Sequence, residues 1–113
     1  MLPKEFRLTD DYDFRRVRRL GRVYQSPFFK LVVAPAKQRE TLRFGFVISK
    51  RVAKRAVDRN RAVRLLREAV HHRLSDLKKG FDVVLIARIA ILGKSEPEVG
   101  TEVNRVLSKT PLA

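Results

Sequence analysis

From Val57 onward, successive residues placed roughly 100° apart put Ala62, Val63, Leu65, Leu66, Ala69, Val70 and Leu74 on one continuous half of a helix. The opposite half carries Asn60, Arg61, Arg64, Arg67, Glu68 and His71. So clean a division needs a second layer, because the apolar half of such a helix must be buried against something else in the fold. Arg59 alone is out of place, since it projects onto the edge of the apolar arc. It either lies in an irregular first turn or runs its stem over apolar neighbours to reach solvent.

The rest of the chain supplies that layer as strands. Arg22 to Ala36 favours extended structure, with Phe29, Leu31 and Val33 on one side, Phe28, Lys30 and Val32 on the other, and Pro27 and Pro35 bracketing the regular part. The polar run Lys37 to Thr41 reads as a turn. Beyond it Leu42, Phe44, Phe46 and Ile48 alternate with Arg43, Gly45, Val47 and Ser49, which predicts a second strand and an antiparallel hairpin with the first. Phe81 to Arg88 is apolar on both faces and belongs inside the sheet. An early helix is predicted over Asp10 to Leu20, capped by Thr9 or Asp10, with its acids at the N-terminal end, its arginines toward the C-terminal end and Gly21 as the stop. Ile89 to Ser95 reads as a loop. A last helix is predicted over Glu96 to Lys109 from Val99, Val103, Val106 and Leu107, weakened by Gly100.

Charge decides which functions such a domain can serve. Of 113 residues, 26 are Lys or Arg and 12 are Asp or Glu, a formal net charge of +14, and a chain so cationic repels itself unless a polyanion neutralises it. Nucleic acid is the first candidate partner. A membrane role is not expected, because no apolar run approaches the roughly 20 residues that span a bilayer and the first residues lack the apolar core of a signal peptide; a cytoplasmic protein is expected. There is no cysteine, and the adjacent His71 and His72 do not make a zinc ligand set.

The cations concentrate where the amphipathic helix begins. In the run from Lys50 to Arg67, only Asp58 opposes Lys50, Arg51, Lys54, Arg55, Arg59, Arg61, Arg64 and Arg67. Arginine suits phosphate because its planar fork donates paired hydrogen bonds and is weakly hydrated. Asn60 both donates and accepts; it is either a contact for an RNA sugar or base edge or a capping residue at the helix start.

These residues carry a family resemblance. An early helix with Phe14, an aromatic and aliphatic hairpin ending in Ser49-Lys50-Arg51, the segment Ala56-Val57-Asp58-Arg59-Asn60-Arg61-Ala62-Val63-Arg64-Leu65-Leu66-Arg67-Glu68, and the later Phe81-Asp82-Val83-Val84 together resemble the ribonuclease P protein family over nearly the whole chain. The resemblance implies one α+β domain over residues 1–113, with about four strands in a mixed sheet and three helices. It also implies a left-handed crossover between parallel strands, where the general rule is right-handed. The implied activity is that of a subunit: a partner RNA, the ribonuclease P RNA, holds the active site and the Mg²⁺ ions, and the complex removes the 5′ leader of precursor tRNA. No metal bound to the protein is implied, and the protein alone is expected to be inactive. Lys50, Arg51, Lys54, Arg55, Arg59, Asn60, Arg61, Arg64 and Arg67 are implied to meet RNA. Phe14, Arg18, Phe28, Lys30 and Val32 are implied to form a cleft for the leader. Arg18 and Val32 stand where relatives often carry aromatics, so an arginine plane or a phosphate contact replaces a stacking ring at position 18. Phe14 is either a cleft aromatic or simply core.

Two other functions are compatible with the composition. A nuclease acting without RNA needs clustered carboxylates for metal or a histidine pair, whereas Asp10, Asp11 and Asp13 suit a helix start and His71 and His72 point roughly 100° apart. A general nucleic-acid binder fits the charge equally well and differs only in having no processing partner.

Overall fold

A computed structural model describes residues 2–113 and contains three helices packed on a four-stranded sheet. Helix α1, Asp11–Leu20, starts where Asp10 accepts a hydrogen bond from the Tyr12 amide at 2.9 Å, with Asp11 and Asp13 in the first turn and Arg18 and Arg19 in the last. Its end is closed by the Gly21 amide, which donates to the Val17 carbonyl.

The expected long first strand is two strands. β1, Arg22–Gln25, and β2, Phe29–Pro35, are separated at Ser26 and Pro27, and they form the antiparallel hairpin with Arg22 opposite Val33 and Gln25 opposite Lys30. The Ser26 hydroxyl fastens this turn by accepting from the Phe28 amide at 3.1 Å. β3 is Leu42–Val47 and β4 is Phe81–Ala87. The sheet order is β1-β2-β4-β3, so the predicted hairpin between β2 and β3 does not form. β4 lies between them, antiparallel to β2 and parallel to β3. A strand apolar on both faces belongs at such a central position, and its insertion forces its two neighbours apart. The β2–β3 connection crosses the start of β4, where Gly80, at φ +100°, donates its amide to Thr41 and accepts from the Ala36 amide.

Helix α2, Ala56–His71, connects the parallel pair β3 and β4, and α3, Glu96–Leu107, follows β4 with Ser95 as its N-cap. Both helices pack on one face of the sheet. Ala62, Leu65, Leu66, Ala69 and Val70 of α2 and Val99, Val103, Val106 and Leu107 of α3 share a core with Phe29, Leu31, Val33, Leu42, Phe44, Val83 and Leu85. Each of these α2 residues lies on the predicted apolar arc. The segment read as a loop after β4 includes a one-turn 3-10 helix, Ile89–Ile91, that buries Ile91 in the same core. Helix α1 covers the other face, where Val17 packs with Leu8, Val32, Ala34 and Val84. The radius of gyration is 13.0 Å, the dimension of one compact domain of about a hundred residues.

Between α1 and the sheet lies a buried ionic cluster. The Asp82 carboxylate, fully buried on β4, accepts from Arg16 of α1 and from Arg43 of β3, whose Nε and Nη2 donate at 3.0 and 2.9 Å. Arg16 also donates to the Pro35 carbonyl at 3.0 Å, and Asp13 lies 3.5 Å from each guanidinium. The hydrogen bond to Asp82 raises the Arg43 pKa above the ordinary guanidinium value. Two carboxylates and two guanidiniums thus neutralise one another and fix α1 across the strands.

Candidate nucleic-acid interface

The exposed half of α2 is the half predicted from the projection. Asn60, Arg61, Arg64 and His71 are exposed, and Arg67 and Glu68 are half-buried at its margins. None of the ion pairs among the described residues involves Arg61, Arg64 or Arg67; Arg15 pairs with Asp11 in α1 and Arg105 with Glu102 in α3. The three arginines nevertheless diverge. Arg61 reaches the α3 side, where Nη2 donates to the Lys94 carbonyl at 2.9 Å. Arg67 leans the opposite way, with its guanidinium carbon 5.7 Å from the centre of the Phe46 ring. Arg64 stands between them and is exposed.

Asn60 does not cap the helix. The N-cap is Arg55, which makes no side-chain capping bond, and Asn60 lies one turn inside and is exposed. Its amide is accordingly available to a partner. Arg59 resolves in favour of neither expectation: its Nη1 turns back and donates to the carbonyls of Ala53 at 2.9 Å and Lys54 at 2.7 Å. The turn so held displays Lys50, Arg51, Lys54 and Arg55, all exposed.

On the other face α1 leaves a strip of the sheet only half-buried beside it, which forms the candidate groove. In strand register, Gln25, Lys30, Ile86 and Val47 form one row from β1 to β3, and Lys30, Ile86 and Val47 are half-buried. Phe14, half-buried, and Arg18, exposed, come one helical turn apart along α1. Phe14 lies against Gly45, and it packs with Val47 and Ile86 around the smaller core.

Three of the five residues expected in a cleft, Phe14, Arg18 and Lys30, are therefore on the α1 side with surface to offer. Val32 is on this face but only 2% exposed, sealed beneath α1 next to Val17. Phe28 is elsewhere: it sits in the bend before β2, packs against the α2 and α3 core, and has the Lys94 ammonium 5.5 Å from its ring centre. The alternation that placed Phe28 beside Lys30 stops where β2 begins, at Phe29. Val47 and Ile86 take the places in the row that sequence reasoning missed. Their signal was the alternation itself, which becomes readable only once β4 is known to separate β2 from β3. Arg88 continues the β4 alternation onto the same side and donates to the Gln25 side chain.

The two surfaces meet at the outer edge of β3, where the Leu8 amide donates to the Phe44 carbonyl. A cavity of about 280 Å³ there is lined by Arg7, Phe14, Phe44, Gly45, Phe46 and Arg67, with Leu8 and Thr9. Arg67 of the α2 face and Phe14 of the groove thus border one space. A connected surface of arginines with aromatic rings among them suits single-stranded nucleic acid, because the cations follow phosphates and the rings accept bases.

Comparison with known proteins agrees with the fold. The ribonuclease P family model matches residues 2–111. A ribonuclease P protein component of Chloroflexus aurantiacus is 51% identical over 85 residues, 75% of this chain, and the match spans 62% of that relative's length. The corresponding protein of Clostridium perfringens is 36% identical, with 93% of this chain and 88% of the relative covered. Among solved structures, a Staphylococcus aureus RNase P protein mutant superposes with a TM-score of 0.88 at 24% identity, covering 97% of this chain and 92% of that one. With nearly every described residue inside the family match, the chain belongs to the ribonuclease P protein family.

Proposed function

We propose that this chain is the protein subunit of a ribonuclease P ribonucleoprotein. It binds the catalytic RNA and the 5′ leader of precursor tRNA, and it assists endonucleolytic removal of the leader. The observation that carries this reading is the cationic surface formed by the Lys50–Arg55 turn and by Arg61, Arg64 and Arg67 of α2, continuous through Arg67 with the α1 groove. The α2 face with its turn meets the RNA subunit, and the groove takes the leader. Phe14 offers a ring to a base, Arg18 and Lys30 offer charge to phosphates, and Ile86 and Val47 supply an apolar floor.

The chemistry belongs to RNA in this proposal. The described residues bring together no group of three His, Asp or Glu side chains that could hold a metal ion, and Asp13 and Asp82 already share Arg16 and Arg43. These donors do not suit a resident divalent cation, so the Mg²⁺ of the holoenzyme is assigned to RNA ligands. The protein's part is electrostatic: two polyanions repel less when a +14 domain lies between them. No described helix is long and apolar enough to cross a membrane, and we assign the complex to the cytoplasm.

Reconstitution tests the proposal. At low Mg²⁺, adding the protein to cognate ribonuclease P RNA is expected to raise precursor tRNA cleavage, and the protein with Mg²⁺ but without that RNA is expected to cleave nothing. Cleavage by protein alone would identify a protein nuclease, and no gain from the protein would leave a general binder. On the α2 face, Arg64→Ala should reduce the slope of log affinity against log salt for the RNA subunit by about 0.7–0.9, the share of one phosphate contact. An unchanged slope would remove Arg64 from the interface.

A further inference from the structure

We infer that Arg59 is a positioning residue, which fastens the cationic turn before α2 in the shape that RNA meets and does not itself contact phosphate. The inference rests on the RNA-binding reading above. It concerns an arginine that lies in the middle of the basic run and would ordinarily be counted among its phosphate contacts.

Arg59 leaves α2 at the edge of the arc that carries Leu66 and Val70, and it is half-buried while Asn60, Arg61 and Arg64 are exposed. One nitrogen, Nη1, donates to two successive carbonyls, Ala53 at 2.9 Å and Lys54 at 2.7 Å. Two successive carbonyls directed at one cation is a backbone arrangement that the cation itself stabilises.

The turn needs that support. Its own backbone bonds are those of Val52 and Ala53 to the Ser49 carbonyl, at 3.1 and 3.4 Å, both at its beginning. Its far end runs into α2 at Arg55, an N-cap without a side-chain bond. Ala53 is the buried anchor at 7% exposure, and the four cations around it are exposed. Lys50, Arg51, Lys54 and Arg55 repel one another, so the free turn would spread. A turn ordered before binding spares the complex the cost of ordering it. Arg61 is a useful contrast, since its single bond to the Lys94 carbonyl leaves an exposed guanidinium able to take a phosphate as well.

A positioning role and a phosphate contact predict different salt dependence. Arg59→Met keeps most of the apolar stem and removes the donors. Binding to in vitro transcribed ribonuclease P RNA is expected to lose about 1.4 or more from its log–log salt slope, the equivalent of two or more phosphate contacts. In a Lys50→Ala/Arg51→Ala/Lys54→Ala/Arg55→Ala background, the same substitution is expected to change affinity less than about twofold, because the contacts it positions are already gone. A loss of about one contact that persists in that background would make Arg59 a direct ligand and overturn the inference, as would no change in slope. Arg64→Ala, measured alongside, separates the two levels of the argument. If the wild-type protein does not bind the RNA, the RNA-binding reading fails; if it binds and Arg64→Ala keeps its effect, only the role of Arg59 is in question. Phenylglyoxal labelling of the wild-type protein needs no variant to fold. Arg59 is expected to react slowly with and without RNA, whereas Arg64 reacts quickly and is protected by RNA. Fast labelling of Arg59 that RNA suppresses would overturn the inference.

Discussion

Asp82→Ala is expected to lower folding stability by about 3–5 kcal/mol, the usual consequence of removing one partner from a buried ion pair. Asp82 is 0% exposed and holds both Arg16 and Arg43. Without it, Arg16, itself only 9% exposed, keeps the Pro35 carbonyl and a 3.5 Å approach to Asp13, and its Nε already lacks a hydrogen-bond partner. Arg43 suffers less, because its side chain is 28% exposed and water can reach it. Domains of this kind are stable by roughly 5–15 kcal/mol, so the loss is a large share of the total and urea denaturation would resolve it. A loss below about 1 kcal/mol would mean that α1 opens enough to hydrate Arg16. Arg16→Met/Asp82→Leu should recover most of the stability, since removing both charges also removes their desolvation cost.

The cluster also explains which parts of the fold were legible in the sequence. Helix α2 was readable because its burial follows a local period, and Leu65, Leu66, Ala69 and Val70 are buried as the projection requires. Helix α1 was readable from its cap and charge gradient, and Asp10 supplies the cap. Strand pairing was not readable in the same way. The two apolar faces of β4 imply a central strand, but nothing local says which strands flank it, and the short Lys37–Thr41 connection suggested a hairpin that the Asp82 strand in fact divides. The same holds for the groove: Ile86 lies beside Lys30 only because β4 separates β2 from β3, and the alternation that puts Phe28 on the face of Lys30 ends at the Ser26 turn. The electropositive helix was legible residue by residue, yet Arg59 shows the boundary of that method. Composition counts it with the other cations, while the carbonyls it holds belong to a turn whose shape no periodicity describes.

The groove yields the second large effect, at a glycine. A β-carbon at Gly45 would lie 2.4 Å from both Cε1 and Cζ of Phe14, far inside contact distance. Gly45→Ala is therefore expected to displace the Phe14 ring and to lower stability by about 1–3 kcal/mol, the range for overpacking. The backbone cannot easily yield instead. Leu8 donates to the Phe44 carbonyl at 2.8 Å on the outer side of β3, and Arg43, two residues before Gly45, is tied to Asp82. If Phe14 stacks on a leader base, moving the ring also removes an interaction of roughly 1–3 kcal/mol, so precursor tRNA affinity should fall about tenfold or more in the holoenzyme. That second loss should vanish for a substrate whose leader is too short to enter the groove. If Phe14 is only core, Gly45→Ala destabilises the protein equally but the affinity loss is the same for long and short leaders. Phe14→Ala/Gly45→Ala completes the comparison. Steric conflict predicts that the double variant is at least about 1 kcal/mol more stable than additivity allows, while leader affinity stays low because the ring is absent. Recovery of leader affinity in the double variant would show that the groove needs open space at this position and no aromatic ring.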